Sequence, residues 1–360
     1  MKIILAIDSF KGCLTSAEAE QSAAQGIADV CPDAEVVSVP MADGGEGMLE
    51  AFTTAMNAQT TEADVHDPMM RRIKAAYAIC GETAIIETAK AIGLTLLKEE
   101  ERNPLRATSY GAGELMADAL RRGCTHLMVG LGGSATSDCG IGMLQALIDA
   151  FAPHGHIDKV KAMFPQLRIT IACDVDNPLC GFNGAAHVFA PQKGATPEMV
   201  ETLERRAEKF AELSQKHCGF DRSGEKGAGA AGGLGYAFLQ YFDAKMKSGA
   251  DALLQLTGFD EIIAGADHIV TGEGSADRQT LMGKLPSQIL RYGQRHHIPV
   301  FLIAGMVKDR DMLLQAGFHD VRCINPPSLS HEEAIQPEAA RQNIRKTLAY
   351  WVSQQKENRG

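Results

Sequence analysis

Residues 2–7 read KIILAI, a continuous apolar run rich in isoleucine. That is the pattern of a strand buried on both faces. The run breaks at Asp8, and residues 16–30 (SAEAEQSAAQGIADV) follow with strong helix formers and Ser16 as the expected N-cap. A second buried run, EVVSVP at 35–40, completes a β-α-β unit, which takes a right-handed crossover and a parallel sheet. The C-terminal third repeats this pattern. DHIVTG (267–272), IPVFLIAG (298–305) and DVRCIN (320–325) read as strands, with helices near 285–296, 309–316 and 335–355. Two strands alone make too small a sheet to be stable, whereas five make a plausible one. The expected fold is therefore α/β: a flavodoxin- or Rossmann-like parallel-sheet domain built from both chain ends, 1–60 and 256–360, around an inserted mixed α/β domain at 61–255.

The middle of the chain carries a different pattern. Residues 73–88 (IKAAYAICGETAIIET) alternate around Gly81 as an antiparallel hairpin does. HLMVG (126–130) and ITIACD (169–174) read as strands, and 198–217 as a long charged helix. Over the whole chain, 360 residues with 45% hydrophobic and 22% charged residues describe a globular protein of two or three domains. Lys plus Arg number 35 against 45 Asp plus Glu, a formal charge of -10, which argues against nucleic-acid and anionic-membrane partners. The nine cysteines form no CxxC pair, so a reducing compartment is expected. MKIILAID is too short in apolar residues for a secretory signal, and no window reaches the ~18 apolar residues of a membrane span. A cytoplasmic location is the expectation, and a homodimer is allowed.

In an open parallel sheet the ligand crevice lies beyond the carboxyl ends of the strands. The segments after the first four of these five strands are DSFKG (8–12), MADGGEG (41–47), TGEGSAD (271–277) and AGMVKD (304–309), all read as loops. They gather Asp8, Lys11, Asp43, Glu46, Glu273, Asp277 and Lys308 on one edge. Carboxylates that hold a hard cation, beside ammonium groups that neutralise a transferring phosphoryl, suit a phosphate-plus-Mg²⁺ reaction. Any one such loop is equally a simple Asp/Gly turn; the recurrence in four favours chemistry.

The insert adds glycine clusters. GLGGSATSD (130–138) follows a strand and precedes an apolar stretch, so its amides, Ser134 and Thr136 suit an anion. GAGAAGGLG (227–235) precedes YAFLQYF, and PQKG (191–194) puts Lys193 on a tight turn. The strand ITIACD ends in Asp174 and Asp176 within CDVDNP, which also reads as an Asx turn before Pro178. No GxxxxGK[ST], GxSxG or HExxH occurs. GxGxxA at Gly130, Gly132 and Ala135 is a degenerate dinucleotide motif, and the histidines lack metal-ligand spacing.

IDSFKG, PMADGGEG, NPLRATSYGAGEL (103–115), GLGGSAT, ACDVDNPLCG, PQKGAT, GAGAAGGLG and TGEG…LMGK occur in one order over nearly the whole chain. In this the sequence resembles the type-1 glycerate kinases. The resemblance implies ATP-dependent, Mg²⁺-requiring phosphorylation of D-glycerate in a cleft between two α/β domains. The bacterial members it looks most like make 2-phosphoglycerate in glyoxylate and sugar-acid catabolism. Two departures stand out. Ser275 and Ala276 replace the family's usual Arg-Leu, leaving Arg278 or Lys284 to substitute for the arginine. Ser137, Asp138, Cys139 and Gly140 stand where Asn-Asp-Gly-Gly is usual, so Cys139 would tighten a backbone approach.

With that reaction in view, Asp174 is the expected general base and Asp277 the second candidate, since a base must lie within ~3 Å of the hydroxyl it deprotonates. Lys11 is the expected cationic catalytic group and a candidate for the glycerate carboxylate, as are Arg71 and Arg72. Asp8, Ser9, Asp43 and Glu46 are further substrate contacts, and Asp43 and Asp176 are the expected Mg²⁺ ligands. Gly132, Gly133, Ser134 and Thr136, with Gly229 and Gly232, are expected to wrap the ATP phosphates with help from Lys193. The competing readings are an NAD-dependent hydroxy-acid dehydrogenase and a non-catalytic sugar-acid sensor. The two chain crossings near 60 and 255 would serve as a hinge.

Overall fold

The structure is a computed structural model that describes residues 1–357 except 11, 40, 42–47 and 57. Its described strands are β1 (Lys2–Ile7), β2 (Glu35–Ser38), β3 (Gln59–His66), β4 (Arg72–Cys80), β5 (Thr83–Glu87), β6 (His126–Gly130), β7 (Arg168–Ala172), β8 (Lys245–Lys247), β9 (His268–Ala276), β10 (Val300–Val307) and β11 (Asp320–Cys323). The chain divides into two compact units, one made of 1–43 and 253–360 and the other of 44–252. The first division thus falls well before residue 60. The reason is the helix Met48–Met56, which packs against β4 and β5 of the second unit.

The first unit carries one parallel sheet in the order β11-β10-β9-β1-β2. The β1 run is apolar throughout because the sheet is covered on both faces, and Ile3, Ile4, Leu5, Ala6 and Ile7 are all fully buried. The helices Ser16–Val30 and Pro337–Glu357 pack together over one face. Trp351 from the second of them stacks on Phe301 of β10 with ring centroids 4.5 Å apart. The first helix is capped by Thr15 rather than Ser16: the Thr15 hydroxyl accepts the Glu18 N–H and the Glu18 carboxylate accepts the Thr15 N–H. Ser16 instead donates its hydroxyl to the Ile7 carbonyl at 2.6 Å, tying helix to strand.

Two of the segments read as loops are strand. β9 continues to Ala276 and β10 to Val307, paired as far as Ser275 with Met306 and Ala276 with Val307. Glycine is needed here for close approach, since a Cβ on Gly305 would press on the Gly274 carbonyl oxygen at 2.7 Å. Glu273 therefore lies inside a strand, and it is buried.

The second unit holds a mixed sheet in the order β3-β4-β5-β6-β7-β8, antiparallel from β3 to β5 and parallel from β5 to β8. β4, the Gly81 turn at φ +56 and β5 form the expected hairpin. β3 is an addition that its sequence, QTTEADVH, conceals. An edge strand buries only alternate residues, here Ala63 and Val65. The core beneath gathers Tyr77, Ile86, Leu127, Val129, Ile171, Leu234 and Phe238.

Candidate active site

In the second unit, three parallel strands end side by side at Glu87, Gly130 and Ala172. The segment after β6 turns sharply, with Gly133 at φ +74, and enters the helix Ile141–Phe151. Asp138 organises that entry. Its carboxylate accepts the Ser109 N–H at 2.7 Å, the Ser109 hydroxyl at 2.9 Å and the Gly140 and Gly142 N–H groups at 3.1 Å each. Lys193 approaches the same loop from the Pro191–Lys193 turn. Its Nζ donates to the Thr136 carbonyl at 2.6 Å and to the Ser134 Oγ at 3.2 Å. The residue is only 3% exposed, and burial pushes its amine down to about 7 against the opposing pull of Asp138.

The second glycine cluster lies against the first. Gly232, at φ +67, sits where a Cβ would overlap the Thr136 carbonyl, and its own carbonyl accepts the Cys139 N–H at 3.0 Å. Gly229 is pressed in the same way on the Pro178 carbonyl, and its N–H donates to the Asn177 carbonyl at 2.9 Å. Both glycines are buried, whereas Gly133 is exposed and Gly132 half-buried. The sequence suggested two phosphate loops; the contacts make Gly232 and Gly233 a brace for Thr136–Cys139, while Gly229 packs on the loop that follows β7. Asp174 and Asp176 are exposed beyond β7. Asp174 accepts the Gly249 N–H at 3.2 Å, while Asp176 pairs with Lys226 at 2.8 Å. Arg71 stands on the hairpin side of this unit, its guanidinium already held by Asp67 and by Glu101 at 2.8 Å. Those two carboxylates weaken its case as a carboxylate binder.

At the carboxyl edge of the first sheet, Asp8 is half-buried; its N–H donates to the Gly272 carbonyl at 2.9 Å and its carboxylate accepts the Ser9 N–H at 2.7 Å. Glu273 accepts the Thr280 hydroxyl at 2.5 Å and faces Lys284 at 3.3 Å. Burial pushes its carboxyl above the usual range, with Thr280 and Lys284 opposing. Glu273 and Lys284 of this group fall in the TGEG…LMGK string, whereas Thr280 between them has no motif signature. Asp277 caps the short helix Arg278–Leu281, accepting the Gln279 N–H at 2.8 Å. Lys308 is exposed just past β10. Lys11, Asp43 and Glu46 lie outside the described residues.

The profile of the glycerate kinase family matches residues 3–155 and 150–354. The chain is 40% identical to a glycerate kinase of Haemophilus influenzae over 89% of its own length and 90% of the relative's. It is 40% identical to the glycerate 2-kinase of Escherichia coli K12 over 86% of each chain. The chain belongs to the glycerate kinase family. Its fold agrees with a crystal structure of a glycerate kinase 2 candidate from Salmonella typhimurium LT2, with a TM-score of 0.86 and 34% identity over 100% of this chain and 99% of that one.

The protein is thus a kinase that uses ATP, and the dehydrogenase and sensor readings find no support. No helix among the described residues is long and apolar enough to cross a membrane. Cys139 takes φ +56, in the left-handed region that favours glycine. Ser275 and Ala276 lie in β9, with Ala276 fully buried. Of the two cations offered in place of the family's arginine, Lys284 is the one held against a carboxylate.

Proposed function

We propose that this kinase transfers the γ-phosphoryl of ATP to the 2-hydroxyl of D-glycerate, in the cytoplasm, during glyoxylate and sugar-acid breakdown. The observation that carries the phosphate half of the reading is the loop leaving β6, a Gly-rich turn tied to a buried lysine at the carboxyl edge of parallel strands. The choice of the 2-position follows the name of the Escherichia coli relative.

Gly132 and Gly133 offer backbone amides, and Ser134 a hydroxyl, to phosphate oxygens, while Gly232 holds that loop in shape and Gly229 supports the segment that carries Asp174 and Asp176. Asp174 is the general base: its carboxylate is exposed, and the Gly249 N–H orients one of its oxygens. It accepts the substrate hydroxyl proton as that oxygen attacks phosphorus. Magnesium usually takes one or two carboxylates and completes its shell with water and phosphate oxygens. Asp176 would be an oxygen donor of that kind on leaving its exposed partner Lys226, and the bound ion would supply charge neutralisation at the phosphates. Asp8 and Ser9 position substrate hydroxyls, with Lys11, Asp43 and Glu46 as further contacts outside the described residues.

³¹P NMR of a mixture with ATP, Mg²⁺ and D-glycerate tests the reading. The expected products are ADP and 2-phosphoglycerate in equal amounts. A 3-phosphoglycerate signal overturns the regiochemistry, and unchanged ATP overturns the activity.

A further inference from the structure

We propose that Lys193 and Ser134 form a proton-linked oxyanion subsite, in which an anionic substrate oxygen binds the Ser134 hydroxyl while Lys193 takes up a proton. This deepens the kinase reading and rests on it. The starting observation is a buried amine surrounded by uncharged oxygen. The Lys193 Nζ has the Thr136 carbonyl at 2.6 Å and the Ser134 Oγ at 3.2 Å. Among the described residues it has no carboxylate within ion-pair distance.

The charged groups around it do not fill that gap. Asp138 acts on Lys193 from a distance but is saturated by Ser109, Gly140 and Gly142. Arg102, whose backbone and Cβ lie against Gly194 across the turn, brings no negative charge. On the helix Ala185–Phe189, His187 faces Glu204 at 3.5 Å and Glu201 at 3.9 Å. A buried ammonium without a counter-charge prefers to lose its proton, which agrees with the fall of this amine to about 7.

Hydrogen-bond accounting gives the second half. When Lys193 donates to the Ser134 Oγ, the serine keeps its own hydrogen for another acceptor. No other partner for that hydroxyl occurs among the described residues. The Thr136 Oγ and Ser137 Oγ of the same loop are also buried, with no partner among the described residues. The stretch 134–137 is rich in hydroxyl hydrogens and carries no carboxylate, and the Asp138 that follows it is spent on Ser109, Gly140 and Gly142. An oxyanion on Ser134 supplies that charge through one intervening hydroxyl, favours the ammonium form of Lys193 and draws a proton from solvent. Lys193 thereby acts as a positioning residue, without touching the ligand. A phosphoryl oxygen of ATP and the carboxylate of glycerate share this chemistry.

Titration calorimetry in buffers of different ionisation enthalpy distinguishes the two sources. One arm uses a non-hydrolysable ATP analogue alone and the other D-glycerate alone, each near pH 8 and pH 6. The expected result in at least one arm is uptake of about one proton near pH 8, shrinking to a small fraction near pH 6, where the amine is already charged. Lys193→Arg, a permanent cation, should bind without that uptake and also subtracts the nucleotide's own protonation. Absence of uptake in both arms, or uptake unchanged in Lys193→Arg, overturns the proposal. Turnover of D-glycerate and ATP is measured on the same preparation. Active enzyme with proton-neutral binding rejects the subsite alone, whereas an inactive enzyme rejects the kinase reading.

Discussion

The two sheets end their parallel strands in opposite chemistry. The carboxyl edge of the first carries Asp8, Glu273 and Asp277, each already engaged by a backbone N–H, a hydroxyl or an ammonium group. The corresponding edge of the second carries, among the described residues, an amine without a counter-charge, hydroxyls without acceptors and an exposed Asp174. Position at the carboxyl end of a strand is common to both. What separates them is what each side chain is already tied to. Asp277 orients its carboxylate on a helix N-terminus, whereas the second edge offers buried hydroxyl hydrogens to an anion and a buried amine to a proton.

The sharpest way to break that contrast is to remove one aspartate from each edge. Asp174→Asn should lower kcat by ~10²–10⁴-fold, the usual worth of a positioned base, with little change in thermal stability. Asp277→Ala should do the reverse, costing about 1 kcal/mol through the lost cap while kcat holds. Steady-state kinetics and melting curves on both variants decide between the two roles.

A smaller effect separates bracing glycines from turn glycines. Gly232→Ala meets both a left-handed backbone and the Thr136 carbonyl, and should cost about 3 kcal/mol. Gly12→Ala, at φ +75 with nothing near its Cβ, should cost only about 1 kcal/mol. Urea denaturation midpoints measure the difference, and equal losses would remove the brace from the account.

The smallest effect lies beneath the first sheet. Burial raises the carboxyl of Glu20 well above its ordinary range, and the Ile7 N–H only partly offsets this. A raised folded value means that the contribution to stability is complete below the ordinary carboxylate pKa and is lost as pH rises through the folded one. Glu20→Gln should therefore gain on the wild type as pH rises above the ordinary carboxylate range in chemical denaturation. A constant difference would contradict the assignment.

Much of the first sheet was legible because strands buried on both faces write themselves as unbroken apolar runs, as KIILAI does. Glycine misled where TGEGSA and AGMV read as loops: here it serves strand-to-strand contact, and Glu273 moves from a loop into a buried strand position. β3 escaped notice because only Ala63 and Val65 of its eight residues are buried. At the site, Asp174 and the GLGGSAT loop were visible from strand ends. The burial of Lys193 was not, since it depends on packing between segments nearly sixty residues apart. Nor could glycine spacing tell that Gly232 and Gly233 brace the loop at 130–139.

Hydrogen–deuterium exchange with and without a non-hydrolysable ATP analogue tests most directly whether the second sheet's edge holds the phosphates. The account predicts slowed exchange in peptides covering 130–137, with 271–284 unchanged. Protection confined to 271–284, with 130–137 exchanging as before, would contradict it.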